Sequence, residues 1–198
     1  MDAPDTIAAV EDATTTERSR IGSDKALIAA TDATLERDAV WRAMATREAG
    51  VVDAVGGWND ESAVAEAFER FRRAASDRRD RIDAQPGEAD ALSAHLADLT
   101  DTPERVGAGL LAVPLVLDRL YLQVVSFFVN EADEREADVA RELRNGASDL
   151  APAREALAVL DDAERARARD AAVGAIGVAY DEYAATLEAM GLDPKPVC

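Results

Sequence analysis

Three residue types are nearly missing from this chain, and each absence removes a class of chemistry. The only cysteine is Cys198, the last residue, so no disulfide framework or thiolate metal cluster can form within one chain. The only histidine is His95, in the stretch ALSAHLADL, and no glutamate precedes it by three positions. It reads as a rim histidine rather than a metal ligand. Lysine occurs only as Lys25 and Lys195, and the remaining cations are arginine. Cations are scarce as a whole: 22 stand against 40 carboxylates, for a net charge of −18 over 198 residues. Such a chain has no spare cations to replace the counterions of a phosphate backbone, so direct nucleic-acid binding is not expected. Strand signals, Gly-rich phosphate loops, nucleophile elbows and Ser/His/Asp sets are also missing.

What is present points to an all-α protein of high salt. Alanine and arginine are abundant and isoleucine is scarce, the balance of a salt-in halophile. In molar salt the Debye length shrinks to about 3 Å, so dense surface carboxylates repel little and keep the protein hydrated. The opening segment MDAPDTIAAVEDA is acidic and has no apolar run, so no signal peptide is read there, and the expected compartment is the reducing cytoplasm.

Helical periodicity dominates the chain. The stretch from Pro103 to Asn130 is apolar on nearly every side, as a buried core helix is. Its apolar run from Gly107 to Leu117 is short for a bilayer, and Asp118-Arg119 follows it, so no membrane span is expected. Thr102 is placed to cap it, with Pro103 at its first position, and Pro114 is expected to kink or locally unwind it. Other helices are expected over 5–20, 35–56, 61–85 (capped by Asn59), 88–99, 133–143 and 162–190, with shorter turns of helix after Ser23 and Pro152. Asn145-Gly146 is expected to interrupt, or at least weaken, the helix that Asp133 opens. The architecture this gives is an antiparallel four-helix bundle with additional short helices. Its expected parts are a helical extension over 1–34, the bundle over 35–191 and an extended tail over 192–198.

Polar residues on inward stripes are the candidates for a site. Val40, Met44, Glu48, Val51 and Val55 fall at spacings of three and four, which aims Glu48 at the core. The stripe Val64, Phe68, Phe71, Ala75, Arg78 and Ile82 offers Arg78 as its partner, with Asp77 and Asp80 pointing away. On the last helix Tyr180 and Tyr183 share a stripe with Val173, Ile176 and Leu187, and their hydroxyls also need partners. Glu48 is therefore expected to be buried and hydrogen-bonded to Arg78, Tyr180 or Tyr183. A carboxylate-only metal site would instead draw on Glu48, Asp118 and Glu182. Cys198, on a proline-bearing tail, is expected to be an exposed thiol open to intermolecular pairing.

Four segments carry a family resemblance: SRIGSDKALIAAT, EAG on the helix of Glu48, LDRLYLQVVSFFVNEAD, and AIGVAYDEYAATLEAMGLDPKPVC. Together they resemble a haloarchaeal rubrerythrin-like family of the ferritin-like superfamily, some members of which are labelled transcription anti-termination proteins. The resemblance implies a ferritin-like four-helix bundle with a glutamate on the first helix and Glu-x-x-His on the next. Glu48 matches the glutamate, but between Ala74 and Asp80 there is neither glutamate nor histidine. The four-cysteine iron module of rubrerythrins proper is excluded by a single cysteine. The expectation is a bundle that has lost its di-iron site and works as a binding or interaction protein with no cofactor. The alternatives are a di-metal oxidoreductase using iron and a transcription-associated regulator acting through protein contacts. Expected partners are an unidentified protein or a second copy of the chain.

Because carboxylates outnumber cations so heavily, folding should depend on salt. The melting temperature, followed by circular dichroism, should fall steadily from molar to low salt. A melting temperature that stays flat or rises on dilution would exclude self-repulsion as a governing term.

Overall fold

A computed structural model describes residues 2–58 and 63–195. The expectations for Asn59 and Cys198 lie outside the described residues. Among the described residues the chain is helical throughout, with no strand.

Asp2 opens α1 (Ala3–Ala13) by accepting the Asp5 N–H at 2.8 Å. The single helix expected over 5–20 is broken at Thr14. This buried residue turns its hydroxyl back to the Val10 carbonyl at 2.7 Å, and α2 (Thr15–Ile21) begins after it. Such back-bonding slightly destabilises a helix and often bends it. A short α3 (Ala26–Ala30) follows, and Asp32 and Ala33 in the left-handed region turn the chain into α4 (Arg37–Gly56). The second long helix, α5 (Ala65–Asp80), is shorter than the expected 61–85. Beyond it the chain makes turns, and Pro86 biases the preceding Gln85 away from helix. Asp90 caps α6 (Ala91–Ala97) by accepting from the Ser93 N–H at 2.7 Å.

The central apolar stretch forms one continuous rod: α7 (Thr102–Arg105), a π-helical segment (Val106–Ala112) and α8 (Val113–Asn130). Asp101, not Thr102, stands at its N-cap position. Around Pro114 the helix is locally unwound rather than sharply kinked. The wider π turns precede it, with the Val113 N–H bonded to the Ala108 carbonyl five residues back. That widening removes the i−4 geometry in which a proline ring collides with a carbonyl. By length and composition the rod could cross a bilayer. Here every residue from 106 to 117 is buried against other helices.

Asp133 caps α9 (Glu134–Ala147), which packs back along α8. This helix does not stop at Asn145-Gly146. Leu143 and Ala147, one turn apart, are both buried, and their packing outweighs the roughly 1 kcal/mol that a helical glycine costs. Last come α10 (Ala151–Val159) and α11 (Asp162–Ala189), the latter opened by a reciprocal Asp161/Glu164 capping box. Gly191, at φ +75°, closes it while the Leu192 N–H reaches the Leu187 carbonyl at 2.9 Å. The three N-terminal helices pack on α11, and α2 and α3 also touch α8.

Glycine sets how near two backbones come. A Cβ on Gly107 would sit 1.8 Å from the Ala168 carbonyl oxygen of α11, and one on Gly109 2.5 Å from the Trp58 ring. Gly107→Ala should therefore cost about 3 kcal/mol, the upper end of overpacking, because backbone cannot rotate away. Gly174 in α11 has nothing within 4 Å of such a Cβ, and Gly174→Ala should stabilise by about 0.5–1 kcal/mol. Denaturant unfolding in molar salt checks both. Equal effects of the two substitutions would show that the close approach carries no weight.

Candidate functional site

The inward stripe of α4 buries Val40, Met44, Glu48, Val51 and Val55, with Glu48 at 0% exposure. The facing stripe of α5 buries Phe68, Phe71, Ala75 and Arg78. Where the stripes meet, Arg78 Nε donates to Glu48 Oε1 at 2.8 Å and Nη2 to Oε2 at 3.0 Å. This is the two-pronged geometry in which a guanidinium and a carboxylate bind best. From α8 the Tyr121 hydroxyl donates to the same Oε1 at 2.9 Å. Arg78 Nη1 points to the Gly146 carbonyl near the end of α9, at 3.5 Å. One carboxylate thus ties α4, α5 and α8 together, and its guanidinium partner reaches α9. Burial pushes the Tyr121 phenol well above its ordinary range, and the neighbouring Glu48 charge, which also accepts its proton, adds to the shift.

Sequence reasoning gave Tyr121 no role. It lies on a helix that is apolar all round, so no polar face fixed its direction. The only usable signal was its place four residues from Leu117 and seven from Phe128, both buried.

Tyr180 and Tyr183 do not reach Glu48. Tyr180 is half-buried and accepts from Arg20 Nη1, whose guanidinium also lies over the Tyr180 ring. Tyr183 is buried, with its hydroxyl 3.1 Å from Ser23 Oγ and donating to the Pro194 carbonyl at 3.2 Å. The reason is packing: α2 and the turn after it lie against α11, so Arg20 and Ser23 meet these hydroxyls before Glu48 can. Lys25 Nζ donates to the Asp193 and Lys195 carbonyls at 2.8 and 2.6 Å, fastening residues 193–195 to the same segment.

Glu48, Asp118 and Glu182 do not form one ligand set. Asp118 is held by Arg144, whose Nε and Nη2 both lie 2.9 Å from Oδ1. Glu182 is engaged on another face by Arg47 and by the Ala91 N–H. Among the described residues, no three His, Cys, Asp or Glu side chains come together as metal ligands. His95 lies half-buried along a surface groove with Glu104, Arg167 and Asp170.

A second polar cluster was not foreseen. Arg47 precedes the stripe residue Glu48 by one position and turns toward α6 and α11. Its Nε meets Asp90 at 2.9 Å and its Nη2 meets Glu182 at 3.2 Å. Its Nη1 is buried with no hydrogen-bond partner. Arg47, Asp90 and Glu182 line a cavity of about 220 Å³, together with Asp32, Thr46, Tyr183 and Thr186 and apolar residues such as Ile21, Ala26, Met44 and Leu120. Sequence could not reveal it, because its walls come from the N-terminal helices as well as from α4, α8 and α11.

A buried ion pair stands or falls as a unit. Glu48→Gln leaves the Arg78 charge without its counterion and should cost about 3–5 kcal/mol. Replacing Glu48, Arg78 and Tyr121 together by Met, Met and Phe should cost less than that single change, since no unpaired polar group remains. Equilibrium unfolding in molar salt measures both. A Glu48→Gln variant as stable as the parent would mean that the pair does not hold the core.

Comparison of the chain with protein-family models, with curated proteins and with solved structures finds no match.

Proposed function

We propose that the protein is a ferritin-like helical bundle that has given up di-metal chemistry and acts as a binding or interaction protein. One observation carries this reading: both oxygens of Glu48 are taken by a guanidinium. Ferritin-like di-iron sites need a glutamate from each of two helices and Glu-x-x-His from the other two. The family resemblance puts Glu48 in the place of the first-helix glutamate. The residues around it do not fit such a centre. Arg78 brings a fixed positive charge to the spot where a metal would sit, and Tyr121 takes a further lone pair of Oε1. A divalent cation would have to displace a bonded group of its own sign from a buried site, against Coulomb repulsion that a dry core screens poorly.

The position of the ion pair explains its retention in a protein without that chemistry. It joins helices that in a metal protein the ligands would join, so it replaces a metal crosslink by a salt bridge. With a net charge of −18, contacts with other proteins or small ligands are the supported mode of action, and contacts with nucleic acid are not.

Elemental analysis of protein purified in molar salt tests the reading. Iron, manganese and zinc should each be far below one per chain, and added Fe(II) or Mn(II) should leave the melting temperature unchanged. About two metals per chain, lost on Glu48→Ala, would establish the oxidoreductase alternative instead.

A further inference from the structure

We infer that residues 23–33 form a lid along one side of the cavity beside Arg47, and that the C-terminal segment latches this lid in place. The inference concerns access to the cavity, and it stands whether or not the metal-free reading does.

The latch is made of side chains that capture backbone carbonyls. Lys25 Nζ donates to the Asp193 and Lys195 carbonyls at 2.8 and 2.6 Å. The Tyr183 hydroxyl donates to the Pro194 carbonyl between them at 3.2 Å. Asp193 Oδ1 accepts the Lys195 N–H at 2.8 Å, which folds the segment on itself. Three consecutive carbonyls are thus held, two from the lid and one from α11. An ammonium suits the task. Its three donors on a compact head can meet carbonyls lying in different directions, whereas a guanidinium offers a planar fork. Ser23 Oγ lies 3.1 Å from the same Tyr183 hydroxyl, so the latch meets the lid at Ser23 and at Lys25.

The lid needs such a latch because little else holds it. Its one helix, α3, has five residues, too few to be stable by itself. The buried residues of α3 are Ala26 and Leu27, so the apolar area that anchors it is small. Ala26, Ala29, Ala30 and Asp32 line the cavity of about 220 Å³, across from Met44 and Val116. A face that borders a cavity forfeits the dispersion contacts that a packed face would make.

The two ends of the lid differ as a pivot and a spring do. Before it, Gly22 is pinned to α8, its carbonyl accepting from Gln123 Nε2 at 2.6 Å. At its far end Asp32 and Ala33 lie at φ 48° and 61°. A residue with a Cβ is strained in this left-handed region, and here two stand in succession. Both are exposed, so they can change conformation without displacing packed neighbours. The latch therefore works against backbone strain. When the C-terminal segment is drawn away, the lid loses Lys25's ties and one wall of the cavity swings outward.

Amide hydrogen exchange on the full chain in molar salt tests the latch. Lys25 is half-buried at the surface, so Lys25→Met removes its donors and leaves the core untouched. The amides of Ala29, Thr31 and Ala33 bond to carbonyls within the lid. In the variant they should exchange about tenfold faster, the effect of one charge-assisted hydrogen bond. Amides of α4 and α8 should keep their rates. Access to the cavity is read separately by iodoacetamide labelling of Val116→Cys, a fully buried lining position, in a Cys198→Ser background. Adding Lys25→Met should speed this labelling about tenfold as well. Unchanged exchange at the three lid amides overturns the proposal. So does acceleration that extends equally to α4 and α8, which marks general destabilisation, or labelling at position 116 that stays at its original rate while the lid amides accelerate.

Discussion

A carboxylate with no exposure to water must be neutralised or must find a cation, and this fold is built around the second solution. Glu48 accepts three hydrogen bonds, two from Arg78 and one from Tyr121. Those donors come from α5 and α8, so the angles and registers of three helices are fixed together. A shift of α5 by one residue would rotate Arg78 about 100° away and strand two opposite charges in an apolar interior. Apolar side chains tolerate small slips because dispersion is weakly directional, and a two-pronged ion pair does not. The pair therefore contributes uniqueness of packing more than net stability, since desolvation of both charges offsets much of their attraction.

Close backbone approach is the second constraint, and it depends on the first only through the central rod. Between Val106 and Ala112 the rod widens into a π segment in which Gly107 meets the α11 backbone and Gly109 meets Trp58. The same widening accommodates Pro114 in a continuous helix. Two features that looked like weaknesses of the central helix, its glycines and its proline, are thus what let it run through the middle of the molecule. The polar network lies further along the rod at Tyr121, where regular α-helix has resumed.

The all-helical class and most helix positions could be read from periodicity, because amphipathic spacing survives in a chain with few aromatics and many charges. Glu48 and Arg78 were legible for the same reason: each lies on an apolar stripe that can face only inward. Spacing gives a residue's face but not its neighbour. That is why Tyr180 and Tyr183, correctly placed on an inner stripe of α11, were assigned to Glu48 when their neighbours are Arg20 and Ser23. Tyr121 was hidden by the opposite circumstance, a helix buried on every side. Local breaks were misjudged where a side chain or a packed turn overrode propensity: Thr14 interrupts a helix that reads as continuous, and α9 continues through Asn145-Gly146. The Arg47 cluster depends on tertiary contacts from three elements, and no local pattern encodes it.

Arg47 and Glu48 are neighbours in sequence, and they join α4 to different parts of the fold. Successive residues of a helix point about 100° apart, so the two side chains serve different interfaces of α4. On the Glu48 side every hydrogen-bonding atom of the carboxylate and the guanidinium nitrogens is engaged, and the network is closed by α5, α8 and α9. On the Arg47 side two carboxylates fix the guanidinium in place and leave one buried nitrogen without an acceptor. A closed network has nothing to offer a ligand and can only hold helices together. Two consecutive residues on one helix thus divide the work, Glu48 joining α4 to α5 and α8 and Arg47 joining it to Asp90 before α6 and to α11.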